Sequence, residues 1–100
     1  MTYRLIFSDR ARKSWNKLGA NVRAQFEKAL QRRVEVPHVP AARVLGIPNG
    51  YKIKLRGAGY RLAYQVIDDR LLTFVIGVGR RDEGYEELLR AGLKSPSDLD

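Results

Sequence analysis

The 100-residue chain has no cysteine, one histidine (His38), and no apolar run near the roughly 20 residues that a bilayer-spanning helix requires. Without cysteine, disulfides, thiolate metal sites and cysteine nucleophiles are excluded, and a reducing compartment is permitted. A lone histidine argues against an imidazole-built metal centre, so no metal and no other cofactor is expected. The N-terminus lacks the basic, then apolar, then small-residue order of a secretory signal, which leaves the cytoplasm as the expected location, with no membrane partner. Acid is also scarce where base is dense: no Asp or Glu occurs between Glu35 and Asp68.

What the chain does contain is positive charge, nineteen Lys and Arg against eleven Asp and Glu, for a net +8. Residues 1–50 carry ten cations and three carboxylates, whereas residues 51–100 carry nine and eight. Such an imbalance favours a nucleic acid, an acidic membrane surface or an acidic protein, without choosing among them. With 44% hydrophobic residues the chain can bury one modest core. A single domain over residues 1–94 is expected, followed by a disordered tail, SPSDLD, over 95–100.

Periodicity divides that domain. Tyr3 to Phe7 alternates as a short strand with Tyr3, Leu5 and Phe7 on one side. Ser8 then offers an N-cap, and Ala11, Trp15 and Leu18 recur at helical spacing up to Gly19, which closes the helix. In a second helix from about Asn21, Val22, Phe26, Leu30 and Val34 form one stripe that ends before Pro37. The stretch PHVPAARVLGIPNG, residues 37–50, reads as a loop. Three strands follow, Tyr51 to Arg56, Tyr60 to Ile67 and Leu71 to Gly79, and their short turns force antiparallel neighbours. Residues 84–94 are weakly helical. The expectation is an α/β domain of the α+β type: an N-terminal strand and helical hairpin packed on an antiparallel sheet, with a short C-terminal helix.

The most informative stretch is YKIKLRGAGYR, from Tyr51 to Arg61. Period-two alternation turns Tyr51, Ile53 and Leu55 to a core while Lys52, Lys54 and Arg56 project from the other face, and Arg61 returns after the turn. Cations held so close repel one another, which suits a surface meant for a dense polyanion. Cleaving RNA without metal needs a base for the ribose 2'-OH, positive donors for the charged transition state and an acid for the leaving oxygen. Lys52 and Lys54 should each lower the other's pKa, making one a usable base. Arg61 and Arg81 stay protonated and offer forked donors to phosphate, and Tyr85 can stack on a base or exchange a proton. An alternating lysine strand is also, and more commonly, what a solvated surface looks like. Tyr60, Tyr64 and Trp15 read as core, His38 shows no acid or metal partner and reads as incidental, and neither GxG has the third glycine of a nucleotide fingerprint.

The residues LxGxP at Leu45, Gly46 and Pro48, YKIKLRGAGYRLAYQVID from Tyr51 to Asp68 and FVIGVGRRD from Phe74 to Asp82 resemble the RelE family of toxin-antitoxin proteins, within the RelE/ParE superfamily. RARKSWNKLG from Arg10 and VRAQFEKAL from Val22 extend the resemblance to about residues 3–90. It implies a toxin that enters the ribosomal A site and cuts messenger RNA by 2'-OH attack, and an acidic antitoxin of the RelB type as partner beside the ribosome and message. The family's catalytic positions fall on Lys52, Lys54, Arg61 and Arg81, with Tyr85 the tyrosine available for the C-terminal role. RNA contacts are expected from Arg43, Arg56 and Arg80, and from helical cations: Arg10, Lys13 and Lys17 on the first helix, Arg23, Lys28, Arg32 and Arg33 on the second. Two other readings share the fold: a ParE-like inhibitor of DNA gyrase that cuts no RNA, and an RNA-binding module without catalysis.

Overall fold

Alternating side chains become an antiparallel meander of β2 (Gly50–Leu55), β3 (Tyr60–Ile67) and β4 (Leu72–Arg80). The computed structural model describes residues 2–80; Arg81, Tyr85, the expected C-terminal helix and the tail lie outside the described residues. The N-terminal strand β1 (Arg4–Phe7) adds to the far side of β4 in parallel, giving the order β1-β4-β3-β2. The antiparallel expectation therefore describes β2 to β4, and β1 is a parallel addition. A helical hairpin lies between β1 and the rest of the sheet in sequence, so β1 need not return as an antiparallel neighbour. This placement makes β4 central, and it is buried from Leu72 to Val78.

The hairpin is α1 (Asp9–Asn16) and α2 (Ala20–Glu35). Ser8 caps α1 by accepting from the Ala11 amide at 3.0 Å, and Asp9 stands in the first turn where the helix dipole favours an acid. Gly19 does not close α1 as expected: α1 ends at Asn16 with Lys17 as its C-cap, and Gly19 is the extended N-cap of α2. In α2, Phe26 and Leu30 are fully buried, with Val22 and Val34 half-buried at the ends of the stripe. Both helices cover the sheet face that carries Tyr51, Ile53, Leu62, Tyr64, Val66, Val75 and Val78. Trp15 fills the corner, its ring 5.0 Å from Phe7 and 6.2 Å from Phe26.

On the other sheet face Ile47, Ala63, Phe74 and Ile76 form a smaller cluster, covered by Val44 and Ile47 of the connector between α2 and β2. A bulge allows this. Pairing steps from Ala63↔Gly77 to Tyr64↔Val75, so Ile76 has no partner on β3 and shares a side with Gly77. The connector turns at Gly46 (φ +87°), a left-handed conformation that favours glycine. It presses so closely on Gly50 that a Cβ there would stand 2.5 Å from the Ile47 side chain.

His38 is not incidental. Its Nδ1 lies 2.8 Å from the Tyr51 hydroxyl and its Nε2 2.8 Å from Asp68 Oδ1, an oxygen that also accepts from the Tyr3 hydroxyl at 2.8 Å. The acid is 30 residues away in sequence and is delivered by the end of β3, so no local pattern announces it.

The bond from His38, then that from Tyr3, holds the Asp68 carboxyl below its ordinary value of 3.8. A lowered folded-state pKa contributes stability that is present above 3.8 and is lost as pH falls through the lower folded value. Asp68→Asn should therefore flatten the fall in Tm between about pH 5 and pH 2, with only a small loss at neutral pH because both partners are well exposed. Equal slopes by calorimetry would refute it. Thr73 is fully buried on β4, and its hydroxyl has no partner among the described residues. The near-isosteric Thr73→Val should raise stability by about 1 kcal/mol in urea denaturation, with the m-value unchanged.

Candidate nucleic-acid interface

Strand pairing decides which cations meet. Lys54 stands directly opposite Arg61, and Arg61 opposite Gly79, so one row across the sheet reads Lys54, Arg61, Gly79. The neighbouring row reads Lys52, Ala63, Gly77. Three cations thus flank a floor of the smallest side chains in the protein. The bulge at Ile76 brings this about, because it shifts the phase of β4 so that Val78 faces the helices while Gly77 and Gly79 lie on the cationic side. Of that floor Ala63 and Gly77 are buried under the connector cluster, and Gly79, in the row of Lys54 and Arg61, is half-buried.

The amine of Lys54 has its pKa lowered, chiefly by Lys52, then by Arg61, with smaller effects of desolvation and Arg56. No carboxylate of the described residues enters that balance. The ordinary relief for clustered cations is an acidic neighbour or a bound anion, and the described residues do not supply the first. Lys54, Leu55, Arg56, Gly59, Tyr60 and Arg61 line an open cavity of about 360 Å³ at the hairpin end. A larger groove of about 460 Å³, lined by residues such as Tyr3, Leu5, Phe7, Trp15 and Leu30, holds no cation and is not a phosphate-facing surface.

The other expected contact residues sit elsewhere. Arg56 is exposed just past β2, close enough to act on Lys54. Arg43 forms an isolated bridge opposite Tyr51, one step out of phase with Lys52. Arg80 pairs with Tyr60, which assigns it to the helix-facing side at the exposed end of β4. Arg10, Lys13, Lys17, Lys28 and Arg32 are exposed on the helical layer and Arg23 is half-buried there; that layer covers the sheet face opposite Lys52, Lys54 and Arg61. The helical cations therefore lie on a different surface from the strand cluster. Arg33 leaves the outward-facing set altogether: its guanidinium donates to the Tyr64 hydroxyl at 2.7 Å and to the Lys52 carbonyl at 3.4 Å. Arg12, which no motif singled out, lies 4.7 Å over the Phe7 ring. Arg81 and Tyr85 lie outside the described residues.

The family model for the ParE toxin of type II toxin-antitoxin systems, parDE, matches residues 5–85. The chain is 49% identical over 92 residues to the mRNA interferase toxin RelE of Escherichia coli (strain K12), covering 90% of this chain and 97% of that protein. A free-state structure of E. coli toxin RelE carrying two arginine-to-alanine substitutions superposes with a TM-score of 0.81 at 46% identity, covering 91% of this chain and 98% of the other. The intact E. coli RelBE toxin-antitoxin complex contains a chain that matches with a TM-score of 0.78 at 49% identity, over 81% of this chain and 99% of that one.

If Lys52 is the largest depressor of Lys54, Lys52→Gln should move the Lys54 titration back toward the ordinary lysine value of 10.5. Lysine side-chain NMR titration reads this directly, and an unmoved Lys54 midpoint would refute the electrostatic account.

Proposed function

The chain belongs to the RelE/ParE family of type II toxin-antitoxin toxins, and from that premise we propose that it is a ribosome-dependent messenger-RNA endonuclease whose cutting surface is the Lys52, Lys54 and Arg61 face of the sheet. The observation that carries the reading is Lys54 standing directly across from Arg61 over a floor of Ala63, Gly77 and Gly79. An inhibitor that merely docks on a protein has no need for cations crowded together in this way.

The chemistry follows from the charges. Lys54, its pKa lowered by its neighbours, is the group most readily neutral and takes the ribose 2'-OH proton. The 2'-oxygen forms a bond to phosphorus as the bond to the 5'-oxygen breaks, and a proton delivered to that oxygen leaves a 2',3'-cyclic phosphate and a 5'-hydroxyl. Arg61 and the charged form of Lys52 stabilise the developing charge on the non-bridging oxygens. Arg81 is assigned a second forked donor and Tyr85 a stacking or proton-exchanging role. Arg56, Arg43 and Arg80 extend the phosphate track around the hairpin end and β-strand edges. The exposed cations of α1 and α2 are assigned to ribosomal RNA.

No helix among the described residues is long and apolar enough to cross a membrane, and a toxin that acts on translating ribosomes works in the cytoplasm. Its neutralising partner is an acidic antitoxin of the RelB type, complementary to the net +8 of the toxin. The ParE description of the family model keeps one rival in view, a gyrase inhibitor without RNase activity.

Lys54→Ala and Arg61→Ala should each slow cleavage of ribosome-bound message by about 10²-fold to 10³-fold in single-turnover primer extension, with the fold intact by near-UV circular dichroism. Undiminished cleavage by a folded Lys52, Lys54, Arg61 and Arg81 quadruple-alanine protein would refute the mechanism. Gyrase-linked DNA breaks with translation intact would replace it with the rival.

A further inference from the structure

The cationic face is carried by an edge strand, and edge strands fray unless something holds their outer side. Strand β2 is bonded to β3 on its inner side, and among the described residues its outer side is held by contacts from the end of α2 and the connector. The Val44 amide donates to the Gly50 carbonyl at 2.9 Å. The Tyr51 hydroxyl meets His38 Nδ1 at 2.8 Å, with the two rings edge-on at 5.6 Å. The Lys52 carbonyl accepts from Arg33 at 3.4 Å. We propose that Arg33 and His38 are positioning residues, which pin the outer edge of β2 so that Lys52 and Lys54 stand where the phosphodiester must lie. The proposal rests on the cleavage reading above.

Each pin is itself fixed from behind. Arg33 donates to the Tyr64 hydroxyl at 2.7 Å, and that hydroxyl donates to the Pro37 carbonyl at 2.7 Å. One guanidinium nitrogen carries two N–H groups and can serve two oxygens, as Arg33 Nη1 does with Tyr64 and Lys52. His38 is held by Asp68 at 2.8 Å, which Tyr3 holds in turn. The seam therefore ties the residue before β1, α2, the connector and the residue after β3 to two consecutive residues of β2, Tyr51 and Lys52. It touches no reacting atom, and its effect on the reaction is through the backbone that carries the amines. Displacing a catalytic group by about 1 Å can cost up to about 10²-fold in rate.

The test compares His38→Ala, His38→Gln, Arg33→Met and the double variant Arg33→Met with His38→Ala in the full chain. Glutamine offers an N–H toward Asp68 and an oxygen toward Tyr51, so it can replace both bonds of the ring. Expected are a loss of about 10-fold in the saturating single-turnover rate for His38→Ala and Arg33→Met, an unchanged half-saturating ribosome concentration, recovery to within about 2-fold in His38→Gln, and a double variant less impaired than the product of the singles. Backbone amide exchange at Tyr51 and Ile53, the residues that alternate toward β3, should quicken in the same order, which needs no enzymatic activity to be read. Unchanged exchange, or faster exchange with an undiminished rate, overturns the positioning role. A fully active Lys54→Ala protein would instead overturn the cleavage reading, while amide exchange would still decide whether the seam holds β2.

Discussion

The constraint on which the site depends is the fixed register of β2 against β3. It places Tyr51 and Ile53 beside Tyr64 and Leu62 on one face and leaves Lys52, Lys54 and Arg61 no choice but the other. Repulsion between exposed cations about 5 Å apart is of the order of 1 kcal/mol per pair in water. Full burial of one large apolar side chain contributes about 1.5–3 kcal/mol, and this face buries several against Phe26 and Leu30. A slip of one residue would turn the cations into that core at a cost of several kcal/mol for each ion. Burial on the helical side therefore wins, and the charge cluster is held against its own repulsion.

The second requirement is room. A central strand covered on both faces tends to carry large branched side chains throughout, and β4 does so through Ile76 before changing to Gly77 and Gly79. The extra residue at Ile76 keeps a bulky group over the connector cluster and delivers the two glycines to the cationic rows. Without it, Val78 would stand beside Arg61 in place of Gly79. The same local irregularity thus completes the minor core and keeps Val78 out of the row of Lys54 and Arg61.

Much of this was legible because it follows from local periodicity. The alternation of Tyr51 to Arg56 placed Lys52 and Lys54 on one face, and the stripe of Phe26 and Leu30 placed α2 over the other. What was not legible depends on partners far apart in the chain. Nothing in Arg4 to Phe7 signals parallel pairing with β4, and nothing near His38 announces Asp68. Arg33 follows Arg32 in a charged stretch that reads as solvated surface, yet a helical advance of about 100° per residue separates an outward cation from one aimed at Tyr64. Arg43 and Arg80 lie close in sequence to the motif, but pairing with Tyr51 and Tyr60 puts them out of phase with Lys54. Sequence distance predicted neighbours, and strand register decided faces.

The separation of the positive charge into two layers limits what can bind. Lys52, Lys54 and Arg61 occupy one face of the sheet, while the exposed cations of α1 and α2 lie on the layer covering the other. The protein measures 33 × 26 × 24 Å, so the two surfaces stand well beyond the roughly 8 Å over which charges act at physiological ionic strength. On the proposed reading each surface finds its own phosphates, and a single extended strand laid across the hairpin satisfies only one. A folded RNA that encloses the protein on both sides, with a single strand threaded across the sheet, satisfies both at once. Such a polyanion also supplies the anionic field that the sequence between Glu35 and Asp68 omits, and it does so only when the substrate is in place.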